Sequence, residues 1–223
     1  GKVLMKLENK PILEHITNFL GQTNMINEII IATTILKEDD KIEQFAKERK
    51  IKYFRGSSEN VLERYYKCAK GSNADIIVRI TADDPIIEPS LIDKIILECK
   101  NCKLDYASNV IEKSFPIGYT TCEVFTFETL SKLYHEQKGA DSLEHVTYHI
   151  RRNPKLFKIK SITTSKKLER SHWRLTVDHK QDLLLMKEIF SKMYSSEGAF
   201  EYNKLVDFLD NNLKLLKINS ECK

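Results

Sequence analysis

Two short, almost wholly aliphatic runs, Ile29-Ile30-Ile31-Ala32 and Ile76-Ile77-Val78-Arg79-Ile80, constrain this chain more than any other feature in it. Each is too short for a core helix and lacks the polar alternation of a half-exposed strand. Each therefore reads as a strand buried on both faces. Such strands need helices on either side of their sheet, and the flanking sequence supplies the spacing. Ile12, Leu13, Ile16, Phe19 and Leu20 recur at helical intervals, with Pro11 suited to a first helical turn. Ile42, Phe45 and Ala46 form the inner face of a helix for which Asp39 or Asp40 is the expected cap. Ile51, Tyr53 and Phe54 make a short strand closed by Gly56, and Ser57 or Ser58 is placed to cap a helix bearing Val61, Leu62, Tyr65 and Ala69. Leu91, Ile92, Ile95 and Ile96 fall on one side of a helix after Pro89. This β-α order through about residue 100 predicts an α/β fold around a largely parallel, twisted sheet.

The later half is less regular. Strands are expected at 106–109, 123–127, 156–162 and 173–177, and helices from about 128, at 142–150, 181–193 and 200–209. Nothing resembling a linker, repeat or low-complexity stretch divides the 223 residues, so one domain is expected, with 110–170 as a subdomain over the strand ends. A net charge of +4 with interspersed signs argues against a nucleic-acid partner, and the cluster Lys166, Lys167, Arg170 reads as a solvated loop. No apolar run reaches membrane-span length and no signal-peptide pattern is visible, which points to a cytoplasmic protein with no membrane partner. Cys99 and Cys102 form a lone CxxC with no second pair at zinc spacing, so the five cysteines read as free thiols.

Parallel sheets place ligands beyond the carboxyl ends of their strands, so the residues just after each run carry the candidate chemistry. Asp83 and Asp84 follow the second apolar run, and Pro85 stops the strand there. Asp178 ends the expected strand at 173–177 in the same way. Two carboxylates converging from separate strand ends suit a hard cation held against phosphates. The competing reading is that each caps the next helix, Asp178 forming a box with Gln181. Arg79, inside an apolar strand, needs either an anionic ligand or an internal ion pair. Arg64 has a surface salt bridge as its default reading. His145 after Glu144 is either a structural donor or a site residue.

Taken in order, several segments together resemble the CMP-3-deoxy-manno-octulosonate synthetase superfamily, and within it the cytidylyltransferases similar to spore coat polysaccharide biosynthesis protein F. They are Gly1-Lys2-Val3-Leu4 with Lys10-Pro11-Ile12-Leu13-Glu14-His15; Ile31-Ala32-Thr33-Thr34 with Glu38-Asp39-Asp40; and Phe54-Arg55-Gly56-Ser57 with Val61-Leu62-Glu63-Arg64-Tyr65-Tyr66. Further along come Val78-Arg79-Ile80-Thr81-Ala82-Asp83-Asp84-Pro85, Glu123-Val124-Phe125, Glu144-His145-Val146-Thr147 and Arg174-Leu175-Thr176-Val177-Asp178.

The resemblance implies a nucleotide-diphospho-sugar-transferase fold, a Rossmann-like three-layer α/β/α arrangement. It implies transfer of CMP from CTP to a sugar acid or related acceptor, for surface polysaccharide biosynthesis, with Mg2+ and usually a homodimer. Carried over by position, Lys2 meets the triphosphate, Asp83 and Asp178 hold the metal, Thr81 lies near the base or acceptor, and Arg64 lies on the nucleotide side. Arg79, Glu123 and His145 fall in the substrate-binding region. The alternatives are a non-catalytic family member, or a nucleotidyltransferase or glycosyltransferase using another nucleotide. Ala82 stands where the family commonly has Gly, Asp84 where it has Cys, Asn or Glu, and Thr120 or Thr121 where an acidic residue is usual. Family members also carry a central strand and phosphate-binding loop ahead of the position of Gly1-Lys2. The expectation is a sheet lacking its first strand, weak CTP binding and association through the open strand edge.

Overall fold

The computed structural model describes residues 1–136, 139, 143–194 and 200–222. A 3-10 turn at Lys2–Leu4 leads into a hairpin of β1 (Lys6–Leu7) and β2 (Lys10–Pro11). Glu8 and Asn9 both adopt positive φ, as the two-residue turn of a twisted hairpin requires. Helix α1 (Ile12–Leu20) follows directly and buries Ile12, Leu13, Ile16, Phe19 and Leu20, the residues its spacing predicted.

The alternating half forms as expected: β3 (Ile30–Thr34), α2 (Asp40–Glu48), β4 (Lys52–Gly56), α3 (Val61–Gly71), β5 (Ile76–Ile80) and α4 (Pro89–Asn101). The expected caps shift. Asp39 precedes α2 but does not cap it; its carboxylate accepts hydrogen bonds from the Thr33 and Thr34 hydroxyls and the Thr34 amide, tying the end of β3. Neither Ser57 nor Ser58 caps α3. Asn60 does, accepting from the Glu63 amide at 2.8 Å.

The remaining elements are β6 (Tyr106–Ser108), β7 (Cys122–Thr126), α5 (Phe127–Glu136), α6 (Tyr148–Arg152), β8 (Ile159–Ser161), α7 (Lys180–Met193) and α8 (Tyr202–Asp210). The sheet is more mixed than the β-α rhythm suggested. β3 and β4 pair in parallel, whereas β5, β7, β6 and β8 lie side by side, with β7 antiparallel to both neighbours and β6 parallel to β8. The antiparallel insertion comes from the later half, where no helical crossover dictates direction.

The strand expected at 173–177 does not form. That segment divides its backbone bonds between two loops: Ile117 N–H donates to the Trp173 carbonyl at 2.9 Å, Leu175 N–H to the Ile117 carbonyl at 2.6 Å, and Val177 N–H to the Asp83 carbonyl at 2.9 Å. Gly118 makes this crossing possible. Its φ is +83°, and a Cβ there would lie 2.4 Å from the Thr176 nitrogen. Of the helix expected at 142–150, Leu143 and Glu144 are helical, a bend and turn follow at 145–147, and α6 begins at Tyr148; residue 142 lies outside the described residues.

Two cores lie on opposite faces of the sheet. One packs α1, α4, α7 and α8 together and includes Ile16, Ile92, Ile95, Phe190 and Leu205; the other packs α3 and α5 and includes Leu62, Tyr106, Phe125 and Leu130. Among the described residues, the strand partner of β3 is β4 and that of β5 is β7, so each keeps one open edge. Between these edges lies a cleft of about 660 Å³. The five cysteines are free; Cys99 is buried and burial raises its thiol to about 11. Among the described residues no helix is long and apolar enough to cross a membrane.

Candidate active site

Strand β5 ends at Ile80, and Thr81-Ala82-Asp83-Asp84 turns away from the sheet with the Asp84 amide donating to the Thr81 carbonyl at 3.4 Å. The Val177 amide, donating to the Asp83 carbonyl, lays the Thr176–Asp178 segment along this turn. Positions 95 residues apart in sequence are thus set side by side by one backbone bond and the Gly118 crossing.

The side chains converge on one nitrogen. Lys2 Nζ lies 2.9 Å from Asp83 Oδ2 and 2.7 Å from Asp178 Oδ1. All three are part-exposed, at 29% for Asp83, 39% for Asp178 and 40% for Lys2, so the site is open to a ligand from solvent. Partial burial lowers the Lys2 pKa, but hydrogen bonds to Asp178 and Asp83 outweigh it and raise the ammonium above its ordinary range. The Lys2 hydrogen bond holds Asp178 below the usual carboxylate value, with Arg174 adding to the effect.

Behind Asp178 stands a second layer that sequence reasoning passed over. Arg174 Nη2 donates to Asp178 Oδ2 at 2.6 Å, and its Nε donates to Asp182 Oδ1 at 3.1 Å. Asp182 is fully buried and also accepts from the Asn219 side chain at 2.8 Å and from the backbone amides of His179 and Asp178 at 2.9 and 3.1 Å. Burial alone would raise the Asp182 carboxyl, but these donors, Arg174 first, bring it below its ordinary value. The capping partnership expected between Asp178 and Gln181 is formed instead by His179 and Asp182, one residue later. Asp178 is therefore left free to face Lys2. Arg174 was legible as the start of Arg174-Leu175-Thr176-Val177-Asp178; Asn219, far along the chain, carried no local signal.

Of the other sequence-selected residues, Arg79 and Glu123 form a separate group beside α3. Arg79 pairs with Glu123 across β5 and β7, and the Arg79 guanidinium lies over the Tyr65 ring at 5.8 Å. Of the two readings open for Arg79, the internal ion pair is the one formed. Glu123 is 2% exposed and also accepts from Tyr106 Oη at 2.7 Å and Thr147 Oγ1 at 2.5 Å. Burial works against its charge, yet Arg79 and these hydroxyls hold it ionised below the ordinary glutamate value. Glu123 thus sits inside the wall, bonded to three groups, rather than on an open surface.

Arg64 Nη1 donates to the Ser57 carbonyl at 2.5 Å. Its chain passes directly over Gly56, where a Cβ would approach Arg64 Cγ to 2.9 Å. The surface salt bridge that was its default reading is not the contact found: Arg64 is half-buried, and burial lowers its pKa. Thr81 donates to Asp84 Oδ2 at 2.7 Å. Asp84 is buried, and burial followed by the neighbouring Asp83 charge raises its carboxyl. His145 is exposed in the bend before α6, two residues from the Thr147 that touches Glu123.

Asp83 and Asp178, whose oxygens meet at the Lys2 ammonium, could hold a hard divalent cation if that ammonium moved aside. Two carboxylate oxygens already converge on one positive charge, and magnesium is held in this manner by one or two carboxylates plus substrate phosphates. A second cluster, His179, Asp182 and Cys222, lies close enough to suggest ligands, but both Asp182 oxygens are engaged by the donors above.

A mixed-sheet α/β fold with paired carboxylates beyond the end of β5 defines the chain as nucleotide-diphospho-sugar-transferase-like. The comparison with known sequences is consistent: the cytidylyltransferase family profile matches residues 1–217, and the chain belongs to that family. It is 36% identical over its whole length to an uncharacterised protein of Methanocaldococcus jannaschii, covering 89% of that protein. It is 28% identical over 217 residues to the spore coat polysaccharide biosynthesis protein SpsF of Bacillus subtilis, spanning 95% of this chain and 88% of that one. Among solved structures, a cytidylyltransferase from Leptospira borgpetersenii superposes with a TM-score of 0.90 at 28% identity, covering 97% of this chain and 90% of the other. A CMP:2-keto-3-deoxy-manno-octonic acid synthetase solved in complex with CTP shares the fold alone, with a TM-score of 0.65 at 13% identity over 87% of this chain and 93% of the other.

Proposed function

We propose that this chain transfers CMP from CTP to a sugar acid or related acceptor, releasing pyrophosphate, to make an activated sugar for surface polysaccharide synthesis. The observation that carries this reading is the meeting of Asp83 and Asp178, from distant parts of the chain, on the ammonium of Lys2. In the reaction, an acceptor oxygen forms a bond to the α-phosphorus while the bond from that phosphorus to the bridging oxygen breaks, and pyrophosphate leaves with the electron pair. Asp83 and Asp178 would hold a magnesium ion, which supplies charge neutralisation at the phosphate oxygens. Lys2 exchanges its two carboxylates for the triphosphate and offsets its charge. Arg174 and Asp182 keep Asp178 in place, so that little reorganisation is needed when charge develops. The relatives support the substrate class: the Bacillus subtilis protein is named for spore coat polysaccharide biosynthesis, and the octonic acid synthetase was solved with CTP.

The test is pyrophosphate release from CTP, UTP, GTP and ATP in the presence of 2-keto-3-deoxy sugar acids, with and without magnesium. CTP is expected to be preferred and the cation to be required. Asp83→Asn should lower turnover at least about 100-fold, the scale of losing one transition-state charge contact. Its melting temperature should stay within about 3 °C of the parent, because a part-exposed ion pair contributes only about 0–1 kcal/mol. Turnover retained by Asp83→Asn would refute the assignment, and a preference for UTP would move the protein to another nucleotide.

A further inference from the structure

The net charge of +4 conceals one strong local excess. Between His145 and Leu168 the chain carries seven Lys and Arg residues and no Asp or Glu. The centre of this stretch leaves α6 at Arg152, passes through a 3-10 turn at Pro154–Leu156 and enters β8 at Ile159. That turn buries none of its residues, and Leu156 at its end is 64% exposed.

The turn is nevertheless tied down at both ends. Asn153 Nδ2 donates to the His149 carbonyl at 3.0 Å, and the Leu156 amide donates to the Asn153 carbonyl at 3.0 Å. The Asp105 amide donates to the Lys158 carbonyl at 2.9 Å, and the Asp105 carboxylate accepts from the Lys158 amide at 2.7 Å. Phe157 packs edge-on against His149, with ring centroids 6.0 Å apart, and Lys132 of α5 lies over the Phe157 ring at 5.4 Å. Lys132 thus joins Arg152, Lys155 and Lys158 at one corner, and all four side chains are exposed. Lys160 pairs with Glu98 at 2.6 Å, whereas among the described residues these four pair with no carboxylate.

The corner lies away from the candidate active site. β8 runs parallel to β6, and β7 runs antiparallel to both β6 and β5, so β8 points in the same direction as β5. Lys158 precedes β8, at the end of the sheet where β5 begins; Asp83 follows β5, at the other end. A flat partner on this corner leaves Lys2, Asp83 and Asp178 open to solvent.

We propose that this corner docks on an anionic lipid bilayer, with Leu156 entering the headgroup layer and Lys132, Arg152, Lys155 and Lys158 on the lipid phosphates. An exposed leucine on an ordered turn beside exposed cations matches what such a bilayer offers, negative charge in the headgroup plane and apolar chains just beneath it. Nucleic acid supplies the charge without the apolar layer. A second copy docked through the same patch would set this positive corner against itself, and like charges repel. The lack of a membrane-length apolar run excludes a spanning helix and led to the expectation of no membrane partner, but lying on a bilayer needs no span. The proposal rests on charge and exposure at this corner and is independent of the enzymatic activity.

The experiment sediments the 223-residue chain with vesicles of phosphatidylcholine alone or with about 30 mol% phosphatidylglycerol, at about 0.05 M and about 0.3 M salt. Binding is expected to the anionic vesicles alone and to fall at least about tenfold at the higher salt. Lys155→Glu should weaken it about 25-fold, since a cation near an anionic surface contributes about fivefold and the substitution also adds a like charge. Leu156→Ser should weaken it roughly tenfold through the lost apolar insertion. Lys41→Glu, the same charge change on the exposed side of α2, should leave binding within about twofold. All three positions are exposed, so melting temperatures should stay within about 3 °C of the parent. No binding to anionic vesicles, an equal loss with Lys41→Glu, or unchanged binding by Leu156→Ser would overturn the proposal. Equally tight binding to a short DNA duplex would overturn it by making a nucleic acid the partner. A dimer in light scattering that Leu156→Ser dissociates would overturn it by making a second copy the occupant.

Discussion

Replacing Asp182 with Asn should destabilise this protein by about 3 kcal/mol at pH 7, more than any exposed ion pair would contribute. Asp182 is completely buried and accepts from both guanidinium nitrogens of Arg174 that face it, from Asn219, and from two backbone amides. The amide side chain loses the charge and turns one acceptor into a donor that opposes either Arg174 or the backbone N–H groups. Hydrogen bonds to charged groups contribute about 1.5–3 kcal/mol each, and breaking a buried ion pair from one side costs about 3–5 kcal/mol. Arg174 retains Asp178 at 2.6 Å, so the estimate lies at the low end. For a domain of this size about 3 kcal/mol corresponds to a fall of about 6–12 °C in melting temperature.

The pH dependence carries the sharper test. The folded-state pKa of Asp182 is below its ordinary value of 3.8, so its contribution is complete above that value and disappears as pH falls through the folded pKa. Urea denaturation of parent and Asp182→Asn should therefore show a stability difference that is constant from pH 7 to pH 5 and narrows below about pH 4. Asp210→Asn, which breaks a surface pair with Arg170, serves as the comparison and should stay within about 1 kcal/mol. A difference for Asp182→Asn below about 0.5 kcal/mol, or one that does not narrow in acid, would refute the claim that Asp182 is a buried anionic anchor.

Other outcomes follow from the same geometry. Glu123→Gln should cost about 3 kcal/mol in chemical denaturation, because it removes the buried carboxylate that pairs with the half-buried Arg79, whereas Arg79→Met with Glu123→Leu should recover part of that loss. Gly118→Ala should lower stability by about 2 kcal/mol or more through its positive φ and the clash with Thr176, and, on the proposed function, should weaken CTP binding because that crossing sets Asp178 beside Asp83; calorimetry and thermal melting measure both.

The sequence alone determined the first half of the fold and the identity of the converging carboxylates. Ile30–Thr34 and Ile76–Ile80 form the strands their aliphatic runs predicted, though most of their residues are half-buried rather than buried, and the helical spacing of Ile12 to Leu20 and Leu91 to Ile96 gave two helices that share one core. Carboxylates placed directly after expected strands made Asp83 and Asp178 stand out, with helix capping as the competing role, although the strand expected before Asp178 does not form. These signals are local: they depend on neighbours within a few residues. What tertiary structure decided was everything set by contacts across long separations. The direction of β7, the dissolution of the strand expected at 173–177, and the capping of α7 by His179 and Asp182 rather than Asp178 and Gln181 all depend on partners far along the chain. The pairing of Arg79 with Glu123 and the five donors around Asp182 belong to the same class. A buried charge must find its partner wherever the fold brings one, and a periodic pattern of apolar residues records which side of an element is buried but not what lies against it.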